Sequence, residues 1–274
     1  MPAAGPGVAW QTVGVDFARL VRARRMTRRF RADAAVPESV VADLLELAGR
    51  APSAGFSQGW EYVVLRSPAE RETFWATAGP DQPDSRTGWL AGVRRAPVLV
   101  LVLADEDAYR RRYAAADKGG IPPAEQDWPV PYWLTDTAMG ALIVLLGATE
   151  AGLGSLFFGV PGPRHAAVKD AFGVPAGLDL IGVIALGEEE GRVGGSASTR
   201  PRRPVSDYVH WGGFGVARAG PEAGLSENAG QTGSAAESRP ARRRDPASGA
   251  SPREESERTH GARERTAEGS ERPR

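Results

Sequence analysis

Apolar side chains recur every three to four residues along several stretches of the chain, which is the period of an amphipathic helix. The stretch Tyr132–Ala151 is apolar nearly all round, so we expect this helix to run through the core. The predicted helices cover Asp16–Arg25, Pro37–Arg50, Pro68–Ala78, Asp105–Ala116, Tyr132–Ala151 and Arg164–Phe172.

Four shorter stretches are typical of strands rather than helices. Pro97–Ala104 is a continuous apolar run, as expected of a strand covered on both faces. The predicted strands are Glu61–Arg66, Pro97–Ala104, Ser155–Val160 and Asp179–Leu186. Strands are few and alternate irregularly with helices, which predicts an α+β fold with a small central sheet sandwiched by helices.

Three connecting segments have patterns of their own. Gly79–Arg86 has turn chemistry, and Thr199–Trp211 is expected to form an extended arm that contains prolines. Lys118–Pro131 lacks periodicity and is long enough to suggest a lid over a site.

Charge is balanced over the whole chain, with 34 basic and 34 acidic residues, but apolar residues are not evenly spread. From Ala217 to the end, Leu225 is the only large apolar residue beside 11 arginines and 10 acids, a composition that does not support a packed core. We therefore expect a flexible N-terminus over 1–14, one folded domain over 15–212 and a disordered charged tail over 213–274.

Composition excludes several classes of protein. The chain has no cysteine, and its three histidines are far apart, so we expect no disulfide, no cysteine nucleophile and no metal site. The near-neutral folded part argues against a nucleic-acid partner. The longest apolar run is too short for a membrane span, and the N-terminus lacks a secretory pattern, so we expect a cytoplasmic protein without a membrane partner.

Two clusters of arginine are candidate anion sites. In the first cluster, Arg24 and Arg28 are four residues apart at the end of the first predicted helix, and their guanidinium groups could converge on one phosphate. The second cluster, Arg200–Pro204, is stiffened by prolines. Two such clusters suggest a phosphorylated cofactor, while the alternative is a solvated helix end and a solvated linker. The acidic run Glu188–Glu190 is interpreted as a solvated turn.

The loop Ala51–Trp60 is rich in small residues and carries two hydroxyls, an amide and an aromatic side chain. Such a loop lets a flat ligand approach the backbone closely, although it could also be a turn closed by a core tryptophan.

Taken in order, these segments resemble the nitroreductase family of flavin-dependent oxidoreductases over about Asp16 to Trp211. The landmarks are Arg-Arg-x-x-Arg-x-Phe at 24–30, Ala-Pro-Ser-x-x-x-x-Gln-x-Trp at 51–60, Gly-Leu-Gly-Ser at 152–155, Val-Pro followed by Ile-Ala-Leu-Gly at 174–187, and Arg-x-Arg-x-Pro at 200–204.

The resemblance implies a homodimer with an exchanged C-terminal arm and two FMN molecules at the subunit interface. Arg24, Arg28, Arg200 and Arg202 would hold the FMN phosphate, and Pro52, Ser53, Ala54 and Gln58 would line the flavin. The whole cofactor set implied is Arg24, Arg25, Met26, Arg28, Pro52, Ser53, Ala54, Gly55, Gln58, Phe158, Gly159, Arg200 and Arg202.

Three positions depart from the family pattern. Met26 stands where the family often has serine, Phe56 where asparagine is common, and Gly59 where proline is common. The resemblance therefore implies that Met26 removes one hydrogen bond to the FMN phosphate or ribityl chain, and that Phe56 would remove an amide contact to the flavin ring and narrow the pocket instead.

The implied activity is electron transfer from NAD(P)H through FMN to an electron-poor acceptor, namely a nitroaromatic, a quinone or an activated alkene. Phe56, Trp128, Tyr132 and Trp133 are candidates to stack a flat acceptor, or else simply pack. Two alternatives remain: an oxygen-dependent flavin-fragmenting enzyme of the same fold, and a non-catalytic flavin-binding regulatory protein.

Overall fold

The computed structural model describes residues 16–79, 89–191 and 200–217. They fall into two units, one ending at Arg203 and the other beginning at Pro204. The expected flexible N-terminus, nearly all of the Gly79–Arg86 turn and the tail from residue 218 onward lie outside the described residues.

The first unit alternates helices and strands in the order expected of an α+β fold. Its α-helices are α1 (Phe17–Ala23), α2 (Glu38–Ala48), α3 (Pro68–Ala78), α4 (Trp89–Val93), α5 (Glu106–Tyr113), α6 (Tyr132–Glu150) and α7 (His165–Ala171). Its strands are β1 (Trp60–Leu65), β2 (Val98–Asp105), β3 (Gly154–Phe158) and β4 (Leu178–Gly187).

Several element ends differ from the sequence predictions. α1 stops at Ala23 rather than Arg25, because Arg24 leaves helical geometry with φ −56° and ψ 130°. Asp105 ends β2 and caps α5, since its carboxylate accepts a hydrogen bond from the Ala108 N–H at 3.1 Å. The predictions do not include the short helix α4, whose five residues are too few to show a helical period.

The four strands form an antiparallel sheet in the order β1-β2-β4-β3. Both faces of β2 are covered, as its continuous apolar run predicts. Leu99, Leu101 and Leu103 belong to one hydrophobic core. Val98, Val100 and Val102 belong to a second core on the opposite face. The sheet is therefore sandwiched between two helical layers.

The helix α6 packs closely on the second face. A Cβ at Gly147 would lie 2.7 Å from Leu44 of α2, and a Cβ at Gly140 would lie 2.7 Å from the Tyr62 hydroxyl oxygen. Burial at this contact raises the pKa of Tyr62 to about 12. By length and composition alone α6 could also cross a membrane, but half of its most apolar window is buried within the molecule.

The described part of the second unit is not the fully extended arm that its prolines predict. A 3₁₀ turn spans Val205–Asp207, and the Trp211 N–H donates to the Val216 carbonyl oxygen at 3.0 Å. Most of the apolar side chains in the described part of the unit are exposed, up to 95 % for Phe214, whereas Val209 is half-buried.

Candidate functional site

The basic segment, defined as residues 24–31, leaves α1 and runs beside the sheet. Met26 forms a parallel β-bridge with Ser155 at the start of β3, and Phe30 forms an antiparallel bridge with Glu189 just after β4. The Thr27 N–H donates to the Ser155 carbonyl oxygen at 2.8 Å. The contacts with Ser155 bring together the first and third landmarks of the family pattern.

Two glycines, one in the third landmark and one in the fourth, are explained by close packing against the basic segment. A Cβ at Gly154 would lie 2.8 Å from the Thr27 side chain. A Cβ at Gly187 would lie 3.1 Å from the ring of Phe30 and 2.5 Å from Pro97. Phe30 itself is fully buried. Glycine at 154 and 187 therefore lets the segment lie tightly against the sheet.

The acidic triplet, defined as Glu188, Glu189 and Glu190, is more than the solvated turn expected from the sequence. Each of its carboxylates pairs with an arginine of the basic segment. The pairs are Arg31–Glu188 at 3.3 Å, Arg25–Glu189 at 2.7 Å and Arg29–Glu190 at 3.2 Å. Arg95 adds a bond to Glu190 at 2.9 Å, and this bond is the main reason that the pKa of Glu190 lies below its usual value of 4.5.

Arg24 and Arg28 differ from these arginines because neither pairs with a carboxylate of the described residues. Nη1 of Arg24 is buried and makes no hydrogen bond with any of the residues that the structure describes. Nη1 of Arg28 contacts the Met26 carbonyl oxygen at 3.4 Å. The expected helical setting of this pair is wrong, because α1 ends before Arg24. Two cations nevertheless remain available to an anion, and a bound oxyanion would satisfy the buried nitrogen.

The loop 51–59 lies between α2 and β1 and is strained. Gly55 has φ 61°, and the non-glycine residues Phe56 and Gln58 have φ 59° and 53°. Left-handed backbone at residues other than glycine costs about 1–3 kcal/mol each and is concentrated at functional sites. The ring of Phe56 is 75 % exposed, so the strained backbone presents an aromatic side chain to solvent.

A buried carboxylate on α6 holds this loop. Oδ2 of Asp136 accepts hydrogen bonds from the Ala54 N–H and from the Tyr109 hydroxyl, both at 2.8 Å. Burial and the bond to Asp136 raise the pKa of Tyr109. The sequence predictions do not include Asp136. Its signal is a carboxylate in a helix that is apolar nearly all round, since acids are seldom buried without partners.

The helix α5 holds the same loop from another side. The Arg112 Nε–H donates to the Gly55 carbonyl oxygen at 2.8 Å, and the same guanidinium forms two bonds with Asp117, of 2.7 and 2.6 Å. These bonds keep the pKa of Asp117 below its usual value. A Cβ at Gly59 would lie 2.6 Å from the ring of Tyr109, so glycine is required where the family commonly has proline.

Of the four candidate residues for stacking a flat acceptor, three are connected by ring contacts through Trp128, and within the part of the chain that the structure describes Phe56 does not join them. Trp128 has ring contacts with Tyr132 at 5.8 Å and Trp133 at 6.3 Å. Trp133 is buried in a core cluster with Tyr109, whereas Tyr132 is exposed. Phe56 has no ring contact with this group among the described residues. The segment Lys118–Pro131 that carries Trp128 is tied to α5, because the Gln126 amide donates to the Arg110 carbonyl oxygen at 2.9 Å.

The remaining expected cofactor residues differ in their surroundings. The ring of Phe158 stacks on Trp75 at 5.7 Å in the first core, and Gly159 is exposed. The Met26 side chain packs against both cores, so methionine at this position contributes to packing in the interior. Arg200 and Arg202 are exposed, and no hydrogen bond or ion pair among the described residues joins them to the basic segment.

Taken together, the described residues leave Arg24 and Arg28 of the basic segment without a carboxylate partner, and they hold the strained loop 51–59 by hydrogen bonds from α5 and α6. The sequence model of the nitroreductase family matches residues 21–188. Because this match spans most of the first unit, the chain belongs to the nitroreductase family, as its landmarks predict.

The chain is also similar to curated proteins. 4-Nitrobenzoate reductase from Nocardioides sp. is 29% identical over 220 residues, which cover 70% of this chain and 88% of that protein. 5,6-Dimethylbenzimidazole synthase from Rhodospirillum rubrum is 31% identical over 177 residues, which cover 60% of this chain and 77% of that protein.

The fold is shared with structures of low sequence identity. A protein from Exiguobacterium sibiricum in complex with FMN is 21% identical with a TM-score of 0.56, covering 72% of this chain and 97% of that one. A nitroreductase-like protein from Streptococcus mutans is 21% identical with a TM-score of 0.55, covering 72% of this chain and 98% of that one.

Proposed function

We propose that this protein is an FMN-dependent oxidoreductase that passes electrons from NAD(P)H to an electron-poor acceptor: a nitroaromatic, a quinone or an activated alkene. Family membership supports the reaction class. Bound FMN would supply the redox chemistry, accepting a hydride and passing electrons on, while the protein supplies binding and orientation.

One observation carries the proposal: among the described residues, the buried Nη1 of Arg24 has no hydrogen-bond acceptor, and Arg28, four residues further along, has no carboxylate partner. Among the arginines of the basic segment, the acidic triplet neutralises Arg25, Arg29 and Arg31 and leaves this pair. A phosphate monoester offers oxygens that guanidinium groups bind in charge-assisted pairs. In our proposal Arg24 and Arg28 hold the FMN phosphate, and the loop 51–59 lies against the flavin.

We also propose that the protein acts as a homodimer. Among the described residues we find no hydrogen bond or ion pair between the basic segment and the loop 51–59, which suits a site completed by a second subunit. The side of α6 that does not face the sheet exposes Met139 and Leu142, and α1 exposes Phe17 and Val21. Because α1 and α6 contact each other, these exposed side chains lie on neighbouring helices, and exposed apolar surface is typical of an interface.

The test uses the full-length chain, purified and incubated with FMN. We expect a yellow protein that releases FMN on denaturation and whose colour bleaches anaerobically with NADH or NADPH. Adding a nitroaromatic or a quinone should restore the colour in proportion to the acceptor consumed. A chain that takes up no FMN, or whose bound FMN neither reductant bleaches, would contradict the proposal.

A second candidate function is the oxygen-dependent fragmentation of reduced FMN. The 31% identity with 5,6-dimethylbenzimidazole synthase favours it, because the compound in that name contains a dimethyl-substituted benzene ring, as FMN does. Aerobic incubation with excess reductant separates the two functions. An oxidoreductase returns intact FMN, whereas fragmentation removes flavin permanently and yields a smaller aromatic product that mass spectrometry detects.

A further inference from the structure

Four N–H groups of residues 54–58 donate hydrogen bonds within the protein, and these bonds restrict the backbone conformation of the loop. The Phe56 N–H donates to the Ser53 carbonyl oxygen at 2.9 Å, and the Gln58 N–H donates to the Ser53 hydroxyl at 3.1 Å. The Ser57 N–H and hydroxyl both donate to the Ala54 carbonyl oxygen. These bonds close a tight turn, but they do not connect it to the rest of the domain.

Two charged groups make the hydrogen bonds that connect this turn to the domain. Asp136 of α6 accepts from the Ala54 N–H, and Arg112 of α5 donates to the Gly55 carbonyl oxygen. The two bonds therefore grip adjacent residues of the turn from two different helices. Each bond involves a side chain of a charged residue type, and charge-assisted hydrogen bonds are about twice as strong as neutral ones.

The Arg112 side chain is itself held in place. Its Nε–H is directed to Gly55, and its two terminal nitrogens are bonded to the two oxygens of Asp117. All three guanidinium nitrogens are thus engaged in the planar fork geometry that lysine lacks. Tyr113, the residue after Arg112, lies against Gly55, because a Cβ added at residue 55 would be 2.8 Å from the Tyr113 ring. The Gly55 backbone is therefore fixed by both a bond and a close contact.

We propose that Arg112 and Asp136 are positioning residues for the flavin: they hold the strained turn at residues 54–58 in the conformation that binds FMN before FMN arrives. The inference rests on the proposed function, because that function places the loop against the flavin. Without the two bonds the turn would relax from its left-handed backbone, and FMN binding would have to restore it. The apparent dissociation constant rises as the binding-competent fraction falls.

The test compares Arg112→Ala with Arg111→Ala in the full-length protein. Arg111 lies on the same helix and pairs with Asp105 at 3.1 Å, but it makes no bond to the loop among the described residues. Two measurements are made: amide hydrogen exchange of a peptide covering residues 52–60 in FMN-free protein, and the FMN dissociation constant by quenching of flavin fluorescence. Neither measurement requires turnover.

We expect Arg112→Ala to exchange faster within residues 54–58 and to bind FMN about tenfold more weakly or worse, as loss of a charge-assisted bond implies. Arg111→Ala should match the wild type in both measurements. Faster exchange with unchanged FMN affinity would overturn the inference, because Arg112 would then be merely structural. Weaker FMN binding with unchanged exchange would also overturn it, because Arg112 would not be acting through the loop.

A milder variant is available if Arg112→Ala does not fold. The side chain of Asp117 is 64 % exposed, so Asp117→Asn removes the carboxylate that orients Arg112 while leaving the core intact. We expect the same two changes at smaller size, and wild-type values in both measurements would contradict the inference. A wild-type chain that binds no FMN would overturn the proposed function itself. That result is distinct from a variant that binds FMN as the wild type does, which would overturn the positioning role alone.

Discussion

The basic segment and the loop 51–59 are both shaped by charged side chains, but those side chains bond to different groups in the two regions. In the basic segment the acidic triplet neutralises Arg25, Arg29 and Arg31 and leaves Arg24 and Arg28 for a ligand. In the loop the charged groups bond to backbone atoms and hold a strained turn. In the basic segment, ion pairing therefore determines which arginines are available to a ligand. In the loop 51–59, charged side chains fix the conformation of the backbone.

The two regions also differ in how they are anchored, which gives the prediction with the largest effect. Phe30 of the basic segment is fully buried, whereas Phe56 of the loop is 75 % exposed. Phe30→Ala should lower the free energy of unfolding by about 3–5 kcal/mol, because it leaves a cavity in the core. Phe56→Ala should change it by no more than about 0.5 kcal/mol.

Urea unfolding of the two FMN-free variants measures this difference. A small effect of Phe30→Ala would mean that the basic segment is not anchored in the core. A large effect of Phe56→Ala would mean that the exposed ring packs against a surface in solution, such as a second subunit.

The next prediction separates ligand binding from stability within the basic segment. Arg24→Met keeps the aliphatic stem and removes the buried unpaired nitrogen, so FMN-free protein should be no less stable than the wild type. FMN binding should weaken by about 1.5–3 kcal/mol, roughly 10–100-fold, through loss of a charge-assisted pair.

Arg29→Met is the matched control, since Arg29 is an exposed arginine of the same segment that is already paired with Glu190. Equilibrium dialysis with FMN should give a dissociation constant close to that of the wild type for this variant. Equal losses of affinity in both variants would show that the acidic triplet does not sort the arginines as we infer.

Much of the fold could be predicted because the spacing of apolar residues along the chain reflects which side of each helix or strand is buried. The bounds of α3 are those predicted, since Ser67 and Glu70 form a reciprocal capping box before an apolar pattern. The strand β2 and the helix α6 follow from continuous apolar runs of strand and helix length. The helix α4 leaves no such record, and its position depends on a close approach of Gly92 to the Arg28 carbonyl oxygen.

The candidate site could be predicted only where its chemistry is local in sequence. Arg24, Arg28 and the small residues of the loop are marked by residue type alone. Asp136 and Arg112 lie 82 and 57 residues from the loop atoms they bond, so their roles depend on tertiary packing. The pairing of the acidic triplet likewise depends on the bridge between Phe30 and Glu189.

The smallest predicted effect concerns the pH dependence of stability, and it tests directly whether the acidic triplet pairs with the arginines of the basic segment. The bond from Arg95, aided by the nearby Arg29, holds the pKa of Glu190 below its usual value of 4.5. A carboxyl group whose pKa is lower in the folded state stabilises the fold above its unfolded pKa, and the contribution disappears as the pH falls through the folded pKa. Glu190→Gln should therefore unfold at slightly lower urea than the wild type at neutral pH, and the gap should close below pH 4.5.

Glu150→Gln provides the comparison, because Glu150 is exposed and forms no ion pair among the described residues. Its urea midpoint should follow that of the wild type across the same pH range. Added salt should also narrow the Glu190→Gln gap at neutral pH, since exposed pairs are screened. A difference in urea midpoint that widens in acid, or that salt leaves unchanged, would mean that Glu190 stabilises the fold through packing. In that case ion pairing with the acidic triplet would not explain why Arg24 and Arg28 remain available to a ligand.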